Sequence, residues 1–192
     1  MTYQVIRKFV NKDTTDLLYK HSILLDQRLG YLHNNNQDRD PSIFGTYNDG
    51  QVPGAFSKFA DPIFETLLLA KRDQIQDLVG QKIYPSYSYL RIYKNGSELK
   101  RHTDRPSCEI TVSLCLGNDG IDWPLSFATE KGVEHLVLHP GDAIFYDGRK
   151  IEHWRDPLEG KLQAQVFLHY VTTEDNKFDR RPALGLPDKY RK

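Results

Sequence analysis

Apolar positions recur at different periods in the two halves of the chain. Leu17, Leu18, Ile23, Leu24, Leu25 and Leu29 follow the polar cluster Asp13-Thr14-Thr15-Asp16 and precede Gly30. A capping cluster, an apolar stripe and a closing glycine predict an amphipathic helix over about 15–29. At Asp61-Pro62 an aspartate can cap while the proline takes the first turn. The apolar positions that follow, Ile63, Phe64, Leu67, Leu68, Ile75, Leu78 and Val79, fit a period near 3.6 and stop at Gly80, which predicts a second helix. Between these helices the segment 31–57 is polar and turn-rich, with HNNNQDRDPS and TYNDGQVPG. A stretch of that length is a functional lid or a disordered surface loop, and both readings stand.

From about Lys82 the period drops to two. Short runs rich in β-branched and aromatic residues predict strands at 86–93, 109–116, 125–129, 135–138, 143–146, 152–154 and 161–171. Turn clusters separate them, among them Lys94-Asn95-Gly96, Pro140-Gly141-Asp142, Asp147-Gly148 and Glu159-Gly160. Many short, closely spaced strands favour an antiparallel sandwich or barrel over a parallel α/β sheet. The two helices are then expected to cover one sheet from outside. This gives a single domain over 1–192: helical support and the candidate lid at 1–80, a β-rich core at 81–171 and an extended tail at 172–192.

Composition narrows the function classes. At 192 residues the chain fits one core. Basic and acidic residues balance, 26 against 26, so no global field draws it to nucleic acid or to an anionic membrane. Two cysteines, Cys108 and Cys115, are too few for a disulfide framework. The charged N-terminus does not read as a signal peptide, and no apolar run is long enough to span a bilayer. A cytoplasmic, globular protein with no nucleic-acid or membrane partner is expected. The signatures GxGxxG, GxSxG and CxxC are absent, as is GxxxxGK followed by Ser or Thr.

The candidate chemistry lies in Arg101-His102-Thr103-Asp104. On a strand, residues i and i+2 share a face, which pairs the His102 imidazole with the Asp104 carboxylate. His153, on a later strand, supplies a third ligand. Two histidines and one carboxylate that leave coordination positions open are the facial arrangement of non-heme Fe(II) oxygenases. His135 and His169 read as structural.

The stretch from Tyr87 to Tyr170 resembles the Fe(II)- and 2-oxoglutarate-dependent dioxygenases, above all their prolyl 4-hydroxylase-like branch. The matching segments are Tyr93-Lys94-Asn95-Gly96, His102-Thr103-Asp104, Glu109 to Leu114, Pro140-Gly141-Asp142-Ala143, His153-Trp154-Arg155-Asp156-Pro157 and the strand from Lys161 to Tyr170. The resemblance implies a mostly β protein with supporting helices: a double-stranded β-helix, or distorted jelly roll, with the N-terminal helices packed on one sheet. It implies that Fe(II) is held by His102, Asp104 and His153, with 2-oxoglutarate and O2 as co-substrates and ascorbate as a supporting reductant. Lys161 is the preferred grip on the far carboxylate of 2-oxoglutarate, although it stands a residue or two nearer the distal histidine than is usual. Arg155 is the rival cation. Tyr93 matches a tyrosine that donates to 2-oxoglutarate, and it also reads as a half-buried strand aromatic. Thr111, Ser113 and Cys115 share a strand face that can line the co-substrate pocket; both cysteines also read as ordinary buried residues. Arg155, Trp154 and Arg105 are placed near the mouth as substrate contacts.

The implied activity is hydroxylation of a C–H bond with release of succinate and CO2. A prolyl residue of a peptide or protein is the first substrate, and free proline or another amino acid the second. Two other classes stay open: a cupin-like metal-dependent isomerase or hydrolase, and a non-catalytic jelly-roll binding module.

Overall fold

A computed structural model describes residues 3–37 and 39–173; the tail expected at 172–192 lies almost wholly outside the described residues. The elements in chain order are β1 (Tyr3–Ile6), α1 (Lys12–Asn34), α2 (Pro41–Phe44), β2 (Phe56–Phe59), α3 (Pro62–Val79), β3 (Tyr84–Lys94), β4 (Leu99–His102), a 3-10 turn (Pro106–Cys108), β5 (Ile110–Asn118), β6 (Leu125–Thr129), β7 (Gly132–Leu136), β8 (Ala143–Tyr146), β9 (His153–Arg155) and β10 (Leu162–Val171). The strands form a six-stranded sheet, β1-β8-β5-β10-β3-β2, and a four-stranded sheet, β4-β9-β6-β7. Every strand pair is antiparallel. Two facing antiparallel sheets whose neighbours are distant in sequence make the expected jelly roll. Among the described residues no helix is long and apolar enough to cross a membrane.

The period of two in β3, β5 and β10 sorts their residues onto two faces. Leu90, Ile92, Val112, Leu114, Ala164, Val166 and Leu168 are buried in one cluster with Leu18 and Leu29 of α1 and Phe64, Leu68 and Ile75 of α3. Helix α3 forms where its pattern requires. Asp61 accepts from the Ile63 amide, Pro62 opens the helix, and Gly80 closes it at φ 75° in the left-handed region. Phe64, Leu68 and Ile75 have no exposed surface, and burying each contributes roughly 1.5–3 kcal/mol.

Helix α1 departs from expectation. It begins at Lys12, capped by Asn11, and runs through Gly30 to Asn34. Tertiary contact overrides the stop signal at Gly30. The Tyr47 hydroxyl sits 3.4 Å from where a Cβ on Gly30 would be, and it donates to Asp26 Oδ1 at 2.9 Å. Helix and following loop are thus tied across the glycine. Strands β1 and β2 fall where no strand was expected; both are short and lie at sheet edges.

Candidate metal centre and cavity

The opposite face of the large sheet is polar and aromatic. Tyr87, Tyr89 and Arg91 of β3, Thr111 of β5, and Phe167 and His169 of β10 line a cavity of about 650 Å3 between the sheets. His102, Asp104 and His153 line the same cavity. His102 ends β4 and His153 opens β9, and the two are register partners with ring centroids 4.3 Å apart. Asp104 lies beyond the end of β4, so strand alternation is not what delivers it. Its amide donates to the Gly148 carbonyl at 2.7 Å, and the Thr111 hydroxyl donates to its Oδ2 at 2.9 Å.

Both imidazoles are fixed in one tautomer. His102 Nδ1 lies 2.8 Å from the Lys100 carbonyl, and His153 Nδ1 lies 3.0 Å from the Ile151 carbonyl. A carbonyl only accepts, so each Nδ1 carries the proton and each Nε2 keeps its lone pair. These Nε2 atoms lie 3.6 and 3.7 Å from Asp104 Oδ1, too far to hydrogen-bond well. One ligand atom from each of the three residues lies within 4.8 Å of the others. Two lone pairs and a carboxylate, each oriented by a partner behind it, suit a divalent ion.

Burial opposes charge on His102, but Asp104 and the Lys100 carbonyl outweigh it and raise its pKa. Burial lowers His153, against the Asp104 carboxylate that would raise it. Burial alone would raise Asp104, yet His102, His153, His169 and Thr111 together hold it low. The carboxylate is therefore ionised beside imidazoles that differ in basicity.

Deeper in the cavity lies Arg155, on the same face of β9 as His153. Its side chain is buried at 2% exposure. Its guanidinium donates to the Trp123 carbonyl and stacks 4.7 Å over the Trp123 ring. Among the described residues it has no carboxylate partner, and burial draws its pKa down. Behind the cavity wall, Gln163 Oε1 and Gln165 Nε2 are buried and lack a hydrogen-bond partner. A buried cation without a counter-ion is costly, so the space around Arg155 fits an anionic ligand.

Lys161, the residue first expected to grip 2-oxoglutarate, lies elsewhere. It is exposed, its amide is bound to Asp119, and it does not line the cavity. The chain is still in the turn before β10 at this point, so the lysine precedes the inward-facing row that starts at Gln163. Trp154 lies outside the cavity as well: alternation along β9 turns it away from His153 and Arg155, and its ring lies under Arg101 at 4.6 Å. Tyr93 is fully buried, edge-on to Trp123 at 4.8 Å, and accepts from Arg91 at 3.2 Å. Ser113 donates to Gln165 at 3.4 Å. Burial pushes the Cys115 thiol up to about 12, leaving it protonated. Tyr93, Ser113 and Cys115 sit behind the cavity wall, whereas Thr111 and Arg105 line it.

Several lining residues escaped the sequence reading. Residues 46–51 of the candidate lid form one wall, where Asp49 is fastened to Arg91 at 2.6 Å, to Ser57 at 2.9 Å and to Tyr89 at 3.2 Å. Burial opposes the Asp49 charge, but Arg91 and the hydrogen bonds overcome it and lower its pKa. A lone arginine within the aromatic run Tyr87 to Tyr93 was the available signal. His169 follows Gln163, Gln165 and Phe167 at spacing two, a polar row that marks an inward face. Its Nδ1 lies 3.1 Å from the Thr111 hydroxyl.

The fold and the site together define a double-stranded β-helix with a His-Asp-His cluster between its sheets, the fold of the 2-oxoglutarate- and Fe(II)-dependent oxygenases. A prolyl-4-hydroxylase from Pseudomonas putida matches with a TM-score of 0.65 at 14% identity, over 90% of this chain and 93% of that one. EctD from S. alaskensis, with 2-oxoglutarate and 5-hydroxyectoine, matches at 0.63 and 16%, over 92% and 74%. HygX from Streptomyces hygroscopicus, with nickel and 2-oxoglutarate bound, matches at 0.60 and 12%, over 90% and 83%. No family model matches the chain, and no curated protein sequence does. At these identities the likeness is one of fold.

Proposed function

We propose that the protein is an Fe(II)- and 2-oxoglutarate-dependent oxygenase that hydroxylates a C–H bond and releases succinate and CO2. The observation that carries this reading is the convergence of two tautomer-fixed imidazoles and one carboxylate beside a cavity with an uncompensated buried guanidinium. His102, Asp104 and His153 would hold the iron. Arg155 would take the far carboxylate of 2-oxoglutarate, a role the sequence resemblance had offered first to Lys161. When bound, iron and 2-oxoglutarate supply oxygen activation.

The chain's own residues orient and enclose. Thr111 donates to Asp104 Oδ2 and leaves Oδ1 facing the imidazoles. The Lys100 and Ile151 carbonyls hold the ring protons on Nδ1. Arg155 meets its ligand in a desolvated setting, where a charge-assisted pair is strong. Residues 46–51, clasped through Asp49 and Arg91, serve as a lid that limits water. Arg105 serves as a substrate contact at the mouth.

A prolyl group, in a peptide or as the free amino acid, is the substrate to test first. The P. putida neighbour is a prolyl-4-hydroxylase, while EctD and HygX are structures with small molecules bound. The test is aerobic incubation with Fe(II), 2-oxoglutarate and either proline-rich peptides or free amino acids, with succinate measured. Iron-dependent succinate that disappears in His153→Ala supports the reading. No succinate above the metal-free control contradicts it.

A further inference from the structure

Three guanidinium groups line the cavity, and they differ in what balances them. Arg91 is spent on Asp49, and Arg155 is deep and assigned above to 2-oxoglutarate. Arg105 is exposed and, among the described residues, forms no ion pair with a carboxylate. It follows Asp104 directly, and the turn Pro106–Cys108 fixes the chain beyond it.

The Arg105 side chain is held in an incomplete way. Its Nε and Nη2 converge on a single atom, the Tyr87 hydroxyl oxygen, at 3.2 and 2.8 Å. That edge of a guanidinium presents two parallel donors matched to two oxygens, which is why it takes carboxylates in a fork. One phenol oxygen uses the edge as a placeholder. Tyr87 also lies 3.0 Å from Cys108 Sγ, and its ring is 4.7 Å from His169. His169 leads through Thr111 to Asp104, so a group held at Arg105 is tied by short contacts to the candidate metal centre. Tyr87, Tyr89 and Phe167 supply flat apolar surface in the same space.

We propose that Arg105 anchors the substrate, and that the substrate is a small carboxylic acid with a compact apolar ring or chain seated on Tyr87, Tyr89 and Phe167. The proposal rests on the oxygenase reading and names the substrate class for that site. One guanidinium balances the single charge of a planar carboxylate; a phosphate dianion calls for more cations than the mouth offers.

The test is calorimetric titration of the protein loaded with Ni(II) and 2-oxoglutarate, which stand in for the iron complex without turnover. The probes are L-proline, L-leucine and phenylacetate, each against its primary amide, and a proline-rich peptide amidated at its C-terminus. At least one acid is expected to bind more tightly than its amide. Arg105→Gln is expected to weaken that acid about 10- to 100-fold, and Arg105→Lys to recover part of the loss. Thermal unfolding of each variant within about 2 °C of the parent excludes a folding defect, since exposed substitutions cost little. Amides or the amidated peptide binding as tightly as the acids overturns the proposal, as does no acid binding the parent more tightly than Arg105→Gln. Failure of the oxygenase reading shows earlier, as no metal-dependent 2-oxoglutarate binding by the parent, and it removes this proposal with it.

Discussion

The Asp104 carboxylate packs against Gly148, in the space that a side chain there would occupy. A Cβ on Gly148 would overlap Asp104 Oδ2 and stand 2.8 Å from its Cγ, while the Gly148 carbonyl holds the Asp104 amide at 2.7 Å. The glycine thus positions both ends of a candidate ligand residue. Gly148→Ala is expected to displace the carboxylate and weaken Co(II) or Ni(II) binding at least about tenfold, the scale of losses at metal-supporting positions. Calorimetric metal titration checks this, with circular dichroism confirming the fold; unchanged metal affinity would show that Gly148 does not position a metal ligand.

Arg155 and Lys161 make opposite predictions. Arg155→Gln removes the buried cation and is expected to weaken 2-oxoglutarate about 10- to 100-fold. Lys161→Ala is expected to leave the affinity within about twofold, because the lysine is exposed and outside the cavity. Titration of 2-oxoglutarate into Ni(II)-loaded protein reads both, and the reverse ranking restores Lys161.

The clasp on the candidate lid is a buried ion pair, with Arg91 and Asp49 side chains 6% and 7% exposed. Removing one partner strands the other charge in a dry site. Asp49→Asn is therefore expected to cost about 3–5 kcal/mol in urea unfolding. The double variant Asp49→Asn with Arg91→Gln is expected to recover part of that cost, so the two losses are not additive. Strict additivity would mean the pair is uncoupled.

Asp142 fastens the N-terminal strand and sets a pH dependence. Burial opposes its charge, but the Lys8 amide at 3.0 Å, Arg7 at 2.6 Å and the His139 amide at 3.3 Å lower its pKa below the ordinary value. A carboxyl lowered on folding stabilises the fold above its unfolded pKa near 3.9 and loses that contribution as pH falls through its folded value. Asp142→Asn is expected to be about 1–3 kcal/mol less stable than the parent at pH 7. The gap should narrow as pH falls below that unfolded value and through the lowered folded one. A gap that stays constant from pH 7 to 2.5 in urea unfolding excludes the charge as its origin.

Much of this architecture was legible in the chain because two simple periods write it. The stripe from Phe64 to Ile75 and the caps at Asp61 and Gly80 set α3. Alternation along Tyr87 to Tyr93, Thr111 to Cys115 and Gln163 to His169 sets which residues face inward. What alternation could not supply was depth along a strand: Thr111 reaches the cavity, while Ser113, Cys115 and Tyr93 fall behind its wall. Lys161 and Trp154 lie outside the cavity for related reasons, one preceding the inward row and the other opposite in phase to His153. The contacts of Gly148, Asp49 and Arg91 are long-range, set by how loops cross the sheet ends. Asp-Gly in a turn motif gave no sign that a carboxylate packs on it.

The most direct measurement is anaerobic addition of Fe(II) and then 2-oxoglutarate, followed by visible absorption. A weak band of the iron chelate is expected that requires both additions, is lost in His153→Ala and is weakened at subsaturating 2-oxoglutarate in Arg155→Gln. A parent protein that binds Fe(II) yet yields no such band, or a band that persists in His153→Ala, contradicts the oxygenase reading.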